Sequence, residues 1–256
     1  MMMMMMTMRR RVGSWVGLSV LVTAVVVVPS AAGASGSCVL PGFAPGASYH
    51  PRIVASNFSP RVTNPLFPLK VGTTLVYTGV KDGKQALNIA STTARTRRID
   101  GVLTRVVQDR LYLNGVLEER TADYYAQDRC GNVWYFGEDT ATLDAHGRVV
   151  STEGSFHAGV DGAQPGVVMQ AHPQLGRRFR QEWYAGHAED TFRVIDRSAR
   201  VQVPYGSFRH ALRTEESTAL EPDVLDNKYY AAGIGEVFEG AVRGPAEALR
   251  LVEIIS

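Results

Sequence analysis

Three dipeptides limit what this chain can fold into: Asp82-Gly83, Asp100-Gly101 and Asn114-Gly115, each standing between two β-rich runs. Asp, Asn and Gly tolerate the positive φ that a two-residue hairpin turn demands, and the twist of such a turn matches that of the strands it joins. The runs at 74–78, 86–98, 102–113 and 116–128 therefore read as strands paired in sequence. Further β-rich runs at 132–136, 149–156, 167–170, 179–184, 189–196, 199–203, 208–217, 229–239 and 248–254 continue the pattern. The expectation is an antiparallel up-and-down meander of about ten to twelve strands. No stretch carries three turns of amphipathic helix; the best, 220–228, is broken by Pro222. A sheet of that length must curl, so the expected fold class is all-β, a half-barrel or barrel with one concave face.

Ahead of the strands, residues 1–34 read as a secretory signal peptide. Arg9, Arg10 and Arg11 precede an apolar run at 12–28, and Ala32-Gly33-Ala34 matches an A-x-A cleavage pattern. The run is 17 residues, short for a membrane span, so no transmembrane segment is expected after cleavage. The mature chain is then secreted or extracytoplasmic, in the cell envelope. Residues 35–68, rich in Pro, Gly, Ala and Ser, read as an extended N-terminal arm, and 69–256 as a single β domain. Three of the 27 basic residues lie in the leader and none of the 25 acidic ones does, leaving a near-neutral mature chain. Such a chain lacks the electrostatic footprint of nucleic-acid binding. The two cysteines, Cys38 and Cys130, both fall in the exported part, where an oxidising compartment favours a Cys38–Cys130 disulfide. That bond would pin the arm beside the centre of the chain.

The centre is residues 123–139, DYYAQDRCGNVWYFGED, with five aromatics on either side of a turn-like core. Trp134 and Phe136 are two apart and so share one face of a strand, with Tyr135 turned away. Trp183 and Tyr229, aromatics of later strands, are assigned to the same concave surface, with Glu138, Glu189 and Asp190 near its rim. Such a wall could hold an apolar or amphipathic small molecule, or it could be filled core.

The remaining chemistry is less specific. Carboxylates at strand ends, among them Asp123, Asp128, Asp139 and Asp161, could act as acid and base in hydrolysis or as oxygen ligands, although Asp128-x-x-x-Asn132 is not a calcium loop. His157, His172 and His187 lack any short ligand spacing, so neither a metal nor a cofactor is expected. No G-x-S-x-G motif is present. The glycine-rich stretch at 159–166 follows no Rossmann-like strand and precedes no helix, so it reads as a lid or crossover.

Several phrases together resemble an uncharacterised family of exported bacterial proteins: NPLFPLKVGTTLVYTG, YYAQDRCGNVWYFGED, GVDGAQPGVVMQAHPQLG, QEWYAGHAEDTF, VPYGSF and KYYAAGIGEV. They span residues 60–240, and they are specific to the family without being specific to a chemistry. More distantly, GTTLVYTG and YYAAGIGEV look like strands of the lipoprotein-like β half-barrels of the bacterial envelope. Resemblance and residues alike favour an exported, non-catalytic binding or envelope-associated monomer. The alternatives are a hydrolase using rim carboxylates and a purely structural surface module.

Overall fold

The computed structural model of the protein describes residues 39–256. The leader, its cleavage pattern and Cys38 lie outside these residues. After a short strand β1 (Phe58–Ser59), a first meander runs through β2 (Thr74–Lys81), β3 (Lys84–Ile99), β4 (Val102–Leu113), β5 (Val116–Asp128) and β6 (Val133–Leu143). The middle of the chain contributes β7 (Val149–Ser151), β8 (Phe156–His157), β9 (Gln164–Met169), β10 (Arg178–Arg180) and β11 (Glu182–Trp183). A second meander follows, through β12 (Asp190–Val203), β13 (Gly206–Thr218), β14 (Leu225–Ala231), β15 (Gly235–Arg243) and β16 (Glu247–Ile255).

All sixteen strands belong to one antiparallel sheet that curls into a nearly closed barrel with one unsealed seam. Eleven are six residues or longer, within the expected ten to twelve; the others are pieces of two or three residues. The hairpin dipeptides act as their chemistry requires. Asp82 and Gly83, Asp100 and Gly101, and Asn114 and Gly115 all take positive φ, between 46° and 82°. Two readings need correction. Residues 229–239 form a hairpin, β14 turning into β15, because Gly233 and Gly235 both take positive φ. Residues 189–196 and 199–203 form a single strand, β12, whose register against β13 slips at bulges around Asp196. The stretch at 220–228, the best helical candidate, instead leads into β14. Among the described residues, no helix is long and apolar enough to cross a membrane.

The seam falls in the middle of the chain. The last strand, β16, pairs with β2, the first of the meander (Leu251 opposite Tyr77), so these two strands leave no open edge between them. The open edges belong to β9 and β12, and one segment, residues 178–183, serves both. Its first half, β10, pairs with β12, and its second half, β11, pairs with β9. Gly166 on β9 makes this approach possible: a Cβ there would lie 2.3 Å from the carbonyl oxygen of Arg180 and 2.4 Å from that of Gln181.

The arm closes one end of the barrel. β1 pairs with the overhang of β5, Phe58 opposite Asp128. Asn64 is buried and donates to the carbonyls of Gly131 (2.8 Å) and Gln170 (3.1 Å), while Gln127 Oε1 accepts from the backbone N–H of Thr63 and of Asn64. Gly233 N–H donates to the Pro65 carbonyl at 2.7 Å. These bonds hold Phe67, Pro68 and Leu69 across the barrel end as its floor. The central turn is built on Asp128, whose carboxylate accepts from the backbone N–H groups of Cys130 and Asn132, from Asn132 Nδ2 and from Trp134 Nε1, at 2.8–3.1 Å.

The seam supplies a test. Gly166→Ala should force β9 away from the bridging segment and cost about 1–3 kcal/mol or more in thermal or denaturant unfolding. Unchanged stability would show that the seam tolerates a wider gap than the backbone positions imply.

Candidate functional site

The barrel interior is not filled. A cavity of about 900 Å³ runs through it, lined from nearly every long strand and floored by the arm. Alternation explains much of the lining. On β5, Tyr125, Asp123, Thr121 and Glu119 are each two residues apart and all face inward, reading from the arm end towards the opposite mouth. On β4, Val107 lies opposite Asp123 and Asp109 opposite Thr121. On β14, Tyr230 lies nearer the arm and Lys228 nearer the mouth. The lumen is thus amphipathic, with rings towards the floor and ionisable groups above them.

β6 adds a feature that alternation alone would forbid. Tyr135 and Glu138 both line the lumen although they are three residues apart. A bulge reconciles them: Tyr124 pairs with Gly137 but Tyr125 pairs with Tyr135, so Phe136 is the extra residue. Gly137 takes φ 151°, and a Cβ there would meet the Phe156 carbonyl oxygen at 2.4 Å. The bulge places Glu138 opposite Asp123 and stacks Tyr135 on Tyr125, with ring centroids 4.9 Å apart. Tyr135 donates its O–H to Asp123 Oδ1 at 2.6 Å.

Burial governs the charges. It pushes Asp109 up to about 7, with the negative charge of Asp123 adding to the effect and the Asn88 amide, donating at 2.6 Å, opposing it. It pushes Asp123 up to about 6 against the Tyr135 hydrogen bond. Burial, then Asp123 and Glu119, hold Glu138 well above the ordinary carboxylate range. Glu182, raised by burial and by Asp190, accepts the Asp190 N–H at 2.6 Å. Across the lumen, burial disfavours the charged form of Lys228, but Glu216, Glu239 and Glu236 more than offset it and keep the ammonium charged. Lys228 Nζ lies 3.3 Å from both Glu216 and Glu239.

The expected ligand face is split by this geometry. Tyr135, Glu138 and Asp190 line the lumen. Trp134 and Phe136 occupy the other face of β6, buried edge-on against Phe58 of the arm at 5.7 and 5.2 Å. The correction is one of phase: the arm, not the lumen, covers that face. Trp183 lies against Gly46, where a Cβ would fall 1.9 Å from its ring, and under the Arg180 guanidinium at 4.7 Å. Tyr229 packs on Phe238 of the neighbouring strand. Glu189 accepts the Gly186 N–H in a mouth loop. The three histidines do not gather. His157 contacts Asp139 at 2.8 Å, His187 reaches Glu153 at 2.8 Å across the mouth, and His172 joins neither. Among the described residues, no group of three or more His, Cys, Asp or Glu is placed to hold a metal ion. Missing from the sequence-derived set are Asp109, Glu119, Lys228, Glu236 and the arm floor. Gly137 inside a strand was the one local sign of the bulge that redirects Glu138.

A pH dependence follows. Asp109, Asp123 and Glu138 bind protons more tightly in the native state than unfolded, so between about pH 4 and 7 the folded chain carries the extra protons. Their contribution is fully present below the unfolded pKa and is lost as pH rises through the folded one. The ligand-free protein should therefore be more stable at pH 5 than at pH 8, by an unfolding free energy on the order of a few kcal/mol, and melt at a correspondingly higher temperature. Glu138→Gln should flatten the profile, which thermal unfolding across that range will show.

No family model and no curated protein matches the chain. Two solved structures show similarity. One, from Bacteroides fragilis NCTC 9343, is designated an exported protein with a YMCC-like fold; it is 13% identical, with a TM-score of 0.43, over 75% of this chain and 99% of the other. The second, from Parabacteroides distasonis ATCC 8503, is designated a lipoprotein; it is 8% identical, with a TM-score of 0.38, over 74% of this chain and 97% of the other.

Proposed function

We propose that this chain is an exported, non-catalytic binding barrel of the cell envelope that holds an amphipathic small molecule in its lumen. The observation that carries the reading is the unfilled interior of about 900 Å³, within the range of small-molecule sites, with rings at its floor and polar groups above. A protein interior normally packs to near-crystalline density, so a void of this size is an expense that a structural module has no reason to keep. The ligand's apolar part would lie against Phe67, Leu69, Tyr125 and Tyr135, and its polar end near Asp123 and Glu138. Export rests on the leader read from the sequence.

Native mass spectrometry of the mature chain from its own host tests the reading. A small-molecule adduct is expected in the wild type, and Ala90→Trp, which places a ring in the lumen, should remove it while the chain stays folded. An adduct that survives Ala90→Trp, or none in the wild type, would overturn the assignment.

A second reading draws on one arrangement. Asp123 and Glu138 stand directly opposite each other with raised proton affinities, as an acid and base for hydrolysis would. Glu138→Gln distinguishes the two, since a hydrolase would lose turnover and a binding barrel would lose only affinity.

The Cys38–Cys130 disulfide belongs to the same proposal. The arm already flanks Cys130, through Asn57 O accepting from Arg129 N–H at 2.9 Å and Asn64 donating to Gly131 O. Intact-mass measurement before and after reduction should differ by two hydrogens, and Cys130→Ser should destabilise the chain by roughly 2–4 kcal/mol. An unchanged mass on reduction would rule the bond out.

A further inference from the structure

We propose that the polar end of the lumen ligand is an organic cation, an ammonium or guanidinium group, seated between Asp123 and Glu138; this rests on the binding reading above. Charge balance carries the inference. Ten of the residues lining the lumen are Asp or Glu, and Lys228 is the only Lys or Arg among them. That lysine is already committed to Glu216, Glu236 and Glu239, and His187 to Glu153. Asp109, Glu119, Asp123, Glu138, Glu182 and Asp190 have no cationic side chain within ion-pair distance among the described residues. Three strands contribute to one patch, since Asp123 on β5 faces Glu138 on β6 and Asp109 on β4 lies one inward position away.

Like charges directly opposite on neighbouring strands repel, and the one counter-charge that acts on Asp123, the Lys228 ammonium, is paired directly with Glu216, Glu236 and Glu239 instead. The empty lumen can relieve the repulsion by keeping protons; a bound cation would relieve it better. The stacked rings of Tyr125 and Tyr135 lie directly below, ready to receive either the alkyl part or the edge of the cationic head. An anionic amphiphile, such as a fatty acid, would meet the same wall with the wrong sign. A bare divalent ion is disfavoured because the carboxylates ring a wide space without converging on a point.

The experiment uses three probes with the same alkyl chain: decylammonium, decanol and decanoate. Each is titrated calorimetrically into the mature, delipidated full chain at pH 7.5. Decylammonium should bind about ten-fold or more tighter than decanol, and decanoate weakest, a ten-fold step being about 1.4 kcal/mol. Glu138→Gln and Asp123→Asn, each checked for an intact melting transition, should each reduce the preference for decylammonium by a similar factor. Affinity should also weaken from pH 7.5 to pH 5, as Asp123, pushed up to about 6, takes up a proton. The groups facing this pair are Glu119 and Tyr125 on the same face of β5, Asp109 on β4, Tyr135 on β6, Glu182 on β11, Asp190 on β12 and Lys228 on β14. If all three probes bind alike, or decanoate binds best, the cation assignment fails while the binding reading stands. If none binds, both fail. If calcium chloride alone binds at this wall and displaces decylammonium, the site is a metal site and the assignment is overturned.

Discussion

A sheet has two edges, and in this structure everything else depends on how those edges are disposed of. Unpaired strand edges invite other chains, so closure is the constraint a long antiparallel sheet must meet. The two ends of the meander meet through β16 and β2, and the remaining gap, between β9 and β12, is bridged by the single segment at 178–183. The bridge needs a residue without a side chain where it crosses β9, and Gly166 meets that need. A barrel of about eight strands is just wide enough for its own side chains to fill, or to hold one small ligand, and the interior widens as strands are added. Closing a wider sheet therefore creates the lumen and, with it, the need for a floor. The arm supplies that floor.

What lines the lumen shows where stability has been given up. Carboxylates that could have faced water along β4, β5, β6 and β11 are directed inward instead, into surroundings that raise their proton affinities. Lys228 pairs directly only with Glu216, Glu236 and Glu239, and reaches Asp123 and Asp190 from a distance. A core built for folding alone would place apolar groups at these positions, because isolated buried charges are among the costliest features an interior can hold. The direct ion pairs of Lys228 sit on one side of the lumen, while Asp123 and Glu138 face each other on the other.

Much of the fold was legible because turn chemistry is local. Asp-Gly and Asn-Gly fix φ at two successive residues, so the first four strands of the meander and their order could be read directly. Less was legible where geometry depends on distant chain. The 229–239 hairpin went unseen because Gly233 and Gly235 lack the Asn or Asp that marks the earlier turns. The seam and its bridge depend on residues in β9, β10 and β12 that nothing local connects. The site suffered most. Trp134 and Phe136 were correctly given a common face, but which side of a curled sheet that face meets is decided by the arm, through Phe58. Glu138 shares their parity in sequence and not in space, since the bulge at Phe136 and Gly137 reverses the alternation between them.

That reversal also ties the site to the plug. Tyr125 stacks on Tyr135 on one side and meets Phe67 of the arm on the other, at 5.2 Å. Tyr135 in turn holds Asp123 through its hydroxyl. A chain of contacts therefore runs from the arm floor, through two rings, to the carboxylate pair, with each member buried or half-buried and none free to shift alone. The arm is anchored at its far side by Asn64 and at the central turn by the strand pair β1–β5. Moving the floor would disturb the stack, and disturbing the stack would change the hydrogen bond that favours the charged form of Asp123 against burial. The arm thus does more than cover an opening: it fixes the position of the rings on which the acidic wall depends.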